Sequence, residues 1–149
     1  MNTRIRTMKI LLPADGSKYA LDAVKFVIDH PDWVRERPQI ELVYVHPPVP
    51  KLSGLGTVVG KKQLQRYYEE EGAEALAAAK ELLDRAGFAY TARVLIGAPA
   101  ETIVAHAKSA RSDLLVIGHR GMTAVASLVL GSVATKILHL SPIPVLLVK

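Results

Sequence analysis

Five short segments rich in apolar residues, separated by stretches with helical spacing, limit the possible folds of this chain more than any other feature. Most of them are almost continuously apolar, as strands covered on both faces are. Strands that alternate with helices predict an α/β fold, namely a three-layer, doubly wound, five-stranded parallel sheet. The predicted strands are Lys9–Pro13, Ile40–Val45, Tyr90–Ile96, Leu114–Ile117 and Val145–Val148.

The stretches between the strands carry the signals of helix starts and ends. Ser17 is a suitable N-cap for the first helix, whose apolar pattern ends by Pro31. Gly87 follows the second helix as a typical terminating residue, and Pro99 lies near the start of the third. The second and the last predicted helices span Gln63–Arg85 and Val133–Leu140.

Length and composition predict a single domain. A chain of 149 residues is long enough for one substantial core and short for two. One long stretch, from about residue 46 to 62, is rich in proline and glycine, and we interpret it as a flexible loop of this domain. No segment reaches the ~18–20 apolar residues of a membrane span, and the N-terminus lacks the features of a signal peptide. We therefore expect a cytoplasmic protein with no membrane partner.

The net charge of +5 raises the question of a nucleic-acid partner. The basic residues Lys61, Lys62 and Arg66 are soon followed by Glu69–Glu71, which is typical of a solvated helix. Aromatic residues are few and do not alternate with basic ones, so the chain lacks the pattern of a base-stacking surface. We expect no nucleic-acid binding. No histidine pair has metal-ligand spacing, so no metal site is predicted.

A glycine-rich segment begins where the fourth predicted strand ends. It reads Gly118-His119-Arg120-Gly121, then nine residues, then Gly131-Ser132. Glycines permit positive φ and a close approach of backbone N–H groups to an anion, and the unpaired N–H groups at a helix start favour phosphate. The same glycines are also compatible with a simple turn and a helix cap. From the residues alone, both interpretations stay open.

The glycine spacing resembles the signature of the universal stress proteins that bind ATP. Two further segments are similar to this family: the opening Ile10–Ser17 resembles its first strand and turn, and the closing Ser141–Val148 resembles its last strand. The resemblance covers essentially the whole chain. It implies a fold like that of the adenine nucleotide alpha hydrolases, with the sheet order 3-2-1-4-5. In that order Asp15 and Gly118 follow neighbouring strands at the switch point, where such sheets bind ligands.

The resemblance also implies a set of nucleotide-binding residues. An acidic residue that contacts adenine or ribose corresponds to Asp15, and a valine of the adenine pocket corresponds to Val45. Asp15 has an alternative as the cap of the next helix, and Arg120 has one as a solvated turn residue. The implied ligand is ATP, with AMP or ADP as alternatives and Mg²⁺ at the phosphates. The implied site consists of Pro13, Ala14, Asp15, Val45, Gly118, His119, Arg120, Gly121, Gly131, Ser132, Val133 and Ala134.

The function implied by the resemblance is an ATP-binding stress protein that uses nucleotide as a switch. We find no catalytic set in the sequence, so any ATP hydrolysis is expected to be slow. The alternative is a dimeric interaction module that binds no nucleotide, although the three glycines of the signature argue against it. In both cases we expect a homodimer, because the apolar strand Val145–Val148 would leave an exposed sheet edge.

Overall fold

The computed structural model describes residues 6–33, 36–50, 60–122 and 129–149. Strands and helices alternate along the described chain, with one short 3₁₀ turn at Pro31–Trp33. The elements are β1 (Lys9–Pro13), α1 (Lys18–Asp29), β2 (Gln39–His46), α2 (Lys61–Arg85), β3 (Tyr90–Ile96), α3 (Pro99–Ser109), β4 (Leu114–Gly118), α4 (Ser132–Leu140) and β5 (Val145–Val148).

The five strands form one parallel sheet in the order β3-β2-β1-β4-β5. The predicted fold class and strand order are therefore confirmed. Leu11 of β1 pairs with Glu41 of β2 on one side and with Leu115 of β4 on the other. This pairing brings the carboxyl ends of β1 and β4 together, although about a hundred residues separate them in sequence.

Helices cover both faces of the sheet, and alternate residues of β1 supply the two cores. Leu12 belongs to the core under α1 and α2, whereas Leu11 belongs to the core under α3 and α4. Both side chains are fully buried. Burial of a leucine side chain stabilises a fold by about 1.5–3 kcal/mol. Strands buried on both faces explain why the predicted segments are almost continuously apolar.

Capping residues mark the start of α1 and both ends of α2. The Oγ of Ser17 accepts the Ala20 N–H at 3.2 Å, so Ser17 is the N-cap of α1 as predicted. Gly87 has a φ of +72° just after α2, a conformation that favours glycine. The start of α2 was predicted two residues too late, because Gly60 is its N-cap and the Gln63 side chain accepts the Gly60 N–H at 3.3 Å.

The long predicted loop is shorter than the sequence indicated. His46 is the last residue of β2, and Lys61 and Lys62 already belong to α2. Residues 51–59 lie outside the described part of the chain. None of the helices within the described ranges combines the length and the apolar character that crossing a membrane requires.

Candidate functional site

A cavity of about 640 Å³ lies at the carboxyl edge of the sheet, where β1 and β4 end side by side. Its walls come from the ends of β1, β2 and β4 and from the first turns of α3 and α4. In an open sheet of this kind the strand order reverses at this point, and the loops diverge to leave a crevice. The cavity volume falls within the range of about 300–1,000 Å³ that is typical of small-molecule sites.

Eleven of the twelve predicted site residues line this cavity. They come from the end of β1, the end of β2, the glycine segment and the start of α4, which are distant in sequence. The eleven are Pro13, Ala14, Asp15, Val45, Gly118, Arg120, Gly121, Gly131, Ser132, Val133 and Ala134. Their common location follows from the strand order.

His119 is the predicted residue that does not line the cavity. Its backbone N–H donates to the Val148 carbonyl at 3.0 Å, and its carbonyl accepts the Gly131 N–H at 2.7 Å. Its ring packs edge-on against the ring of Tyr19, with 5.1 Å between the centroids. The His119 backbone thus joins β5 to the start of α4, and the side chain faces α1.

Other cavity residues were not predicted from the sequence. Most of them are apolar side chains that look like ordinary core positions, such as Val43, Ile103 and Ile117. Pro99 and Ile103 lie in α3, which the glycine signature does not include. The strand order was the signal that could have found them, because α3 starts beside the carboxyl ends of the strands. These residues give the cavity an apolar wall.

Asp15 connects the turn after β1 with the glycine segment. Its Oδ1 accepts the Ser17 N–H at 2.9 Å, and its Oδ2 accepts the Met122 N–H at 3.0 Å. The alternative in which Asp15 caps α1 is wrong, because Ser17 occupies the N-cap position. Asp15 instead shapes the turn before the helix and holds Met122 against it, with its carboxylate at the cavity wall.

Close packing explains two glycines of the segment, Gly118 and Gly121. We expected them to allow positive φ, but Gly118, Gly121 and Gly131 have no left-handed φ. A Cβ on Gly118 would lie 2.4 Å from the Tyr19 carbonyl oxygen, and one on Gly121 would lie 2.8 Å from Asp15 Oδ2. Glycine is needed because α1 and Asp15 pack directly against this backbone.

The start of α4 opens into the cavity without a capping side chain. Gly131 is the N-cap and provides no side-chain hydrogen bond, and the first turn contains no acidic residue. The first N–H groups of a helix lack intrahelical partners, and the helix dipole makes this end positive. Ser132 is exposed here and adds a hydroxyl group. This end of the cavity is therefore suited to an anion.

Arg120 places a positive charge at the same end of the cavity. It is partly buried and lines the cavity, and its Nε is buried with no hydrogen-bond partner among the residues that the structure describes. The guanidinium carbon lies 5.9 Å from the centroid of the Tyr19 ring. A guanidinium group carries five N–H donors, so an arginine in the cavity lining can offer other N–H groups than Nε to a ligand acceptor.

Tyr44 lies at the β2 side of the cavity. Burial raises the pKa of Tyr44, and the negative charges of Glu71, Tyr67 and Asp15 raise it further. Its hydroxyl therefore stays protonated at neutral pH and can donate a hydrogen bond. Among the residues that the structure describes, no group of three histidine, cysteine or acidic side chains is arranged to hold a metal ion.

A parallel sheet wound in both directions, with its cavity at the point where the strand order reverses, defines a doubly wound α/β protein. The chain belongs to the universal stress protein family, whose model matches residues 7–149.

Two curated relatives cover almost the whole chain. The universal stress protein MJ0531 of Methanocaldococcus jannaschii is 34% identical over 142 residues, which is 95% of this chain and 81% of the relative. A universal stress protein from Thermus aquaticus, encoded in the 3′ region of a QAH/OAS sulfhydrylase gene, is 36% identical over 141 residues, which is 94% of this chain and 97% of the relative.

Solved structures of similar fold include complexes with nucleotides. Protein MJ0577 has a TM-score of 0.75 and 26% identity, with 97% of both chains covered. A universal stress protein in complex with cAMP has a TM-score of 0.66 and 23% identity, and covers 96% of this chain and 97% of its own. An Arabidopsis thaliana member with AMP bound has a TM-score of 0.66 and 17% identity, and covers 95% of this chain and 91% of its own.

Proposed function

We propose that this universal stress protein binds ATP in the cavity at the carboxyl edge of the sheet and uses the bound nucleotide as a switch. One observation carries the proposal: a single cavity gathers an apolar wall, the Asp15 carboxylate, the uncapped start of α4 and the cationic Arg120. An adenine nucleotide needs all of these features, because it has an apolar base, a sugar with hydroxyl groups and a negatively charged tail.

The polarity of the cavity supports one orientation of the nucleotide. The base would lie against Val43, Val45 and Ile103, at the end formed by β2 and α3. The ribose hydroxyls would donate to Asp15, whose oxygens retain lone pairs after accepting two backbone N–H groups. The phosphates would then reach the start of α4 and Arg120, where positive charge is concentrated.

The phosphate end distinguishes ATP from the smaller nucleotides. The family members in complex with cAMP and with AMP support an adenine nucleotide as the ligand class. We infer ATP because two separate groups, the α4 N-terminus and Arg120, lie in the cavity lining where phosphate oxygens would meet them. Mg²⁺ would enter with the phosphates, since this ion is commonly bound through substrate phosphates and retained waters.

The cavity is better suited to holding ATP than to cleaving it. Among the described residues that line it, Asp15 is the one carboxylate, and in the proposed orientation it accepts the ribose hydroxyls and not the water that would attack the phosphates. A general base must be free to take a proton from the attacking water. We therefore propose a nucleotide-dependent switch in which any hydrolysis is slow.

We also propose a homodimer formed through β5. This strand pairs with β4 on one side, and its residues are all half-buried and apolar. The opposite edge strand, β3, carries the exposed Arg93, which forms an ion pair with Glu41 at 2.7 Å. Charged side chains on an edge strand oppose pairing, so β5 is the better edge for a second chain.

The central experiment measures nucleotide directly. The purified protein is denatured, and the released small molecules are identified; protein stripped of nucleotide is then titrated with ATP, ADP, AMP and adenosine by calorimetry. We expect bound adenine nucleotide, or an ATP affinity above that of AMP and of adenosine. Absence of released nucleotide, together with no ATP binding at millimolar concentration, would leave the non-nucleotide dimeric module as the better description.

A further inference from the structure

Tyr19 lies outside the cavity lining but contacts the side chains that follow β4. Three basic residues surround its ring. The Lys18 Nζ lies 5.0 Å from the ring centroid and the Arg120 guanidinium carbon lies 5.9 Å from it, while the His119 ring packs edge-on. Only Arg120 of these three basic residues lines the cavity.

The Tyr19 ring is held in place by its surroundings. The backbone of Tyr19, from which the ring projects, packs so closely against Gly118 that a Cβ there would lie 2.4 Å from the Tyr19 carbonyl oxygen. On the other side, the ring contacts His119, whose backbone is tied to β5 through the Val148 carbonyl. The ring is therefore a fixed surface beside the glycine segment.

Arg120 depends on this surface, because nothing else in the described structure orients its guanidinium group. Its Nε is buried and makes no hydrogen bond to a described residue, and the contact found for the guanidinium group is the one with the Tyr19 ring. A guanidinium group within about 6 Å of an aromatic centroid is attracted to the ring face, and more strongly when water is excluded. An arginine side chain without this support would be mobile in the free protein. Ordering it on a phosphate would then cost conformational entropy and lower the affinity.

We propose that Tyr19 is a positioning residue that holds Arg120 at the phosphate end of the cavity and thereby raises the affinity for nucleotides with more phosphates. This inference rests on the proposed nucleotide binding. Tyr19 would act through Arg120 and would make no contact with the ligand. Its effect would raise the affinity for ATP and leave the affinity for adenosine unchanged, because adenosine has no phosphate group for Arg120 to bind.

The test measures the dissociation constants of ATP and adenosine by calorimetry for a set of full-length variants. Tyr19→Leu and Tyr19→Met remove the aromatic face, and two variants are used so that the result does not depend on the folding of one. We expect both variants to bind ATP about three- to tenfold more weakly, which corresponds to the range of a partly desolvated cation–π contact. Adenosine affinity should not change. Tyr19→Phe keeps the ring and should stay within about twofold of the wild type.

Two controls separate positioning from a general structural effect. In an Arg120→Gln background, Tyr19→Leu should lower the ATP affinity no further, because there is no guanidinium group left to hold. Lys18→Gln removes the other cation on the ring, which lies outside the cavity lining, and should affect ATP much less than Arg120→Gln does.

The results that overturn the inference differ from those that overturn the proposed function. Equal loss of ATP and adenosine affinity in Tyr19→Leu, further loss in the Arg120→Gln background, or a Tyr19→Phe variant as weak as Tyr19→Leu would each refute positioning while ATP binding stands. If the wild-type protein binds no nucleotide at all, the proposed function fails and the inference fails with it.

Discussion

Asp15 Oδ2 accepts the backbone N–H of Met122 at 3.0 Å, a bond between residues that are 107 positions apart. Its Oδ1 accepts the Ser17 N–H at the same time, so one carboxylate holds the turn before α1 against the glycine segment after β4. The strand order brings these two loops together, and Asp15 then fixes their separation. The shape of the cavity between them therefore depends on one side chain.

We predict that Asp15→Asn destabilises the fold and weakens nucleotide binding together. An asparagine presents one acceptor and one NH₂ group, so one of the two backbone N–H groups would face a donor. Loss of a hydrogen bond to a charged group costs about 1.5–3 kcal/mol, and we expect a fall of this size in the free energy of unfolding. Urea denaturation and calorimetry with ATP measure the two effects.

Asp29→Asn is the matched control for Asp15→Asn, because it makes the same change of charge at the exposed end of α1. It should leave both the stability and the ATP affinity close to the wild type. A stability loss in Asp29→Asn equal to that in Asp15→Asn would show that the charge alone matters, and the bridging role of Asp15 would have to be abandoned.

Gly118→Ala is predicted to damage the junction of β4 and α1. The added methyl group would lie 2.4 Å from the Tyr19 carbonyl oxygen, and backbone cannot move away as the end of a side chain can. Overpacking of this kind costs about 1–3 kcal/mol or more. Thermal unfolding should show the loss. At Gly60, the N-cap of α2, a Cβ meets nothing within 4 Å, so Gly60→Ala should be much milder. Equal losses would contradict the steric explanation.

The sequence predicted the strand order and the place of the site because both depend on patterns that are local or shared by a family. Apolar runs such as Leu114–Ile117 indicate buried strands, and the resemblance supplied the order of those strands. Once that order was given, Val45 near the end of β2 and Gly118 at the end of β4 had to lie at the same edge of the sheet.

The reason for the glycines could not be predicted in the same way. The contact between Gly118 and the Tyr19 carbonyl joins two residues that are far apart in sequence, and no local pattern encodes it. The same applies to Ile103, which looks like an ordinary core residue of α3 until the cavity beside it is seen. The His119 ring is a further case, because the sequence places it in the loop but does not show that it faces Tyr19.

The ion pair between Glu101 and Lys136 predicts a pH dependence of stability. It joins α3 to α4, the two helices whose first turns border the cavity. The hydrogen bond from Lys136 lowers the pKa of Glu101 below its usual 4.5. A carboxyl group with a lowered pKa stabilises the fold above its unfolded pKa, and this contribution is lost as the pH falls through the folded pKa.

Lys136→Gln should therefore be less stable than the wild type at pH 7, and this difference should disappear at a pH below the folded pKa of Glu101. The difference should be small, since both side chains are largely exposed. Urea denaturation of the two proteins across this pH range measures it. Lys25→Gln, on the exposed face of α1, should show no comparable pH dependence. A Lys136→Gln difference that is constant with pH would rule out the pair as its cause.

The proposed dimer predicts a concentration-dependent mass. Sedimentation at micromolar concentrations should give twice the mass of the chain, because pairing through β5 satisfies the free edge of the sheet. Ile96→Lys places a charge at the end of β3, on the opposite edge, and should leave the dimer intact. A monomer at these concentrations, or a dimer lost in Ile96→Lys, would argue against association through β5.

Ser132→Asp is expected to separate nucleotide affinity from stability. Ser132 is the first residue of α4, where an acidic side chain interacts favourably with the helix dipole by about 0.3–1 kcal/mol. The same negative charge would repel phosphates at the cavity end, and two charges about 4 Å apart at a protein surface interact by about 1–4 kcal/mol. We therefore expect ATP binding at least about fivefold weaker with equal or higher stability. Ser132→Asn has a similar shape without the charge and should bind ATP more tightly than Ser132→Asp.

Gly131→Val is a less suitable test, because a Cβ there already lies 3.1 Å from the Arg120 Cα and would move the loop as well. Equal ATP affinity in the Asp and Asn variants would mean that the phosphates do not lie at the start of α4.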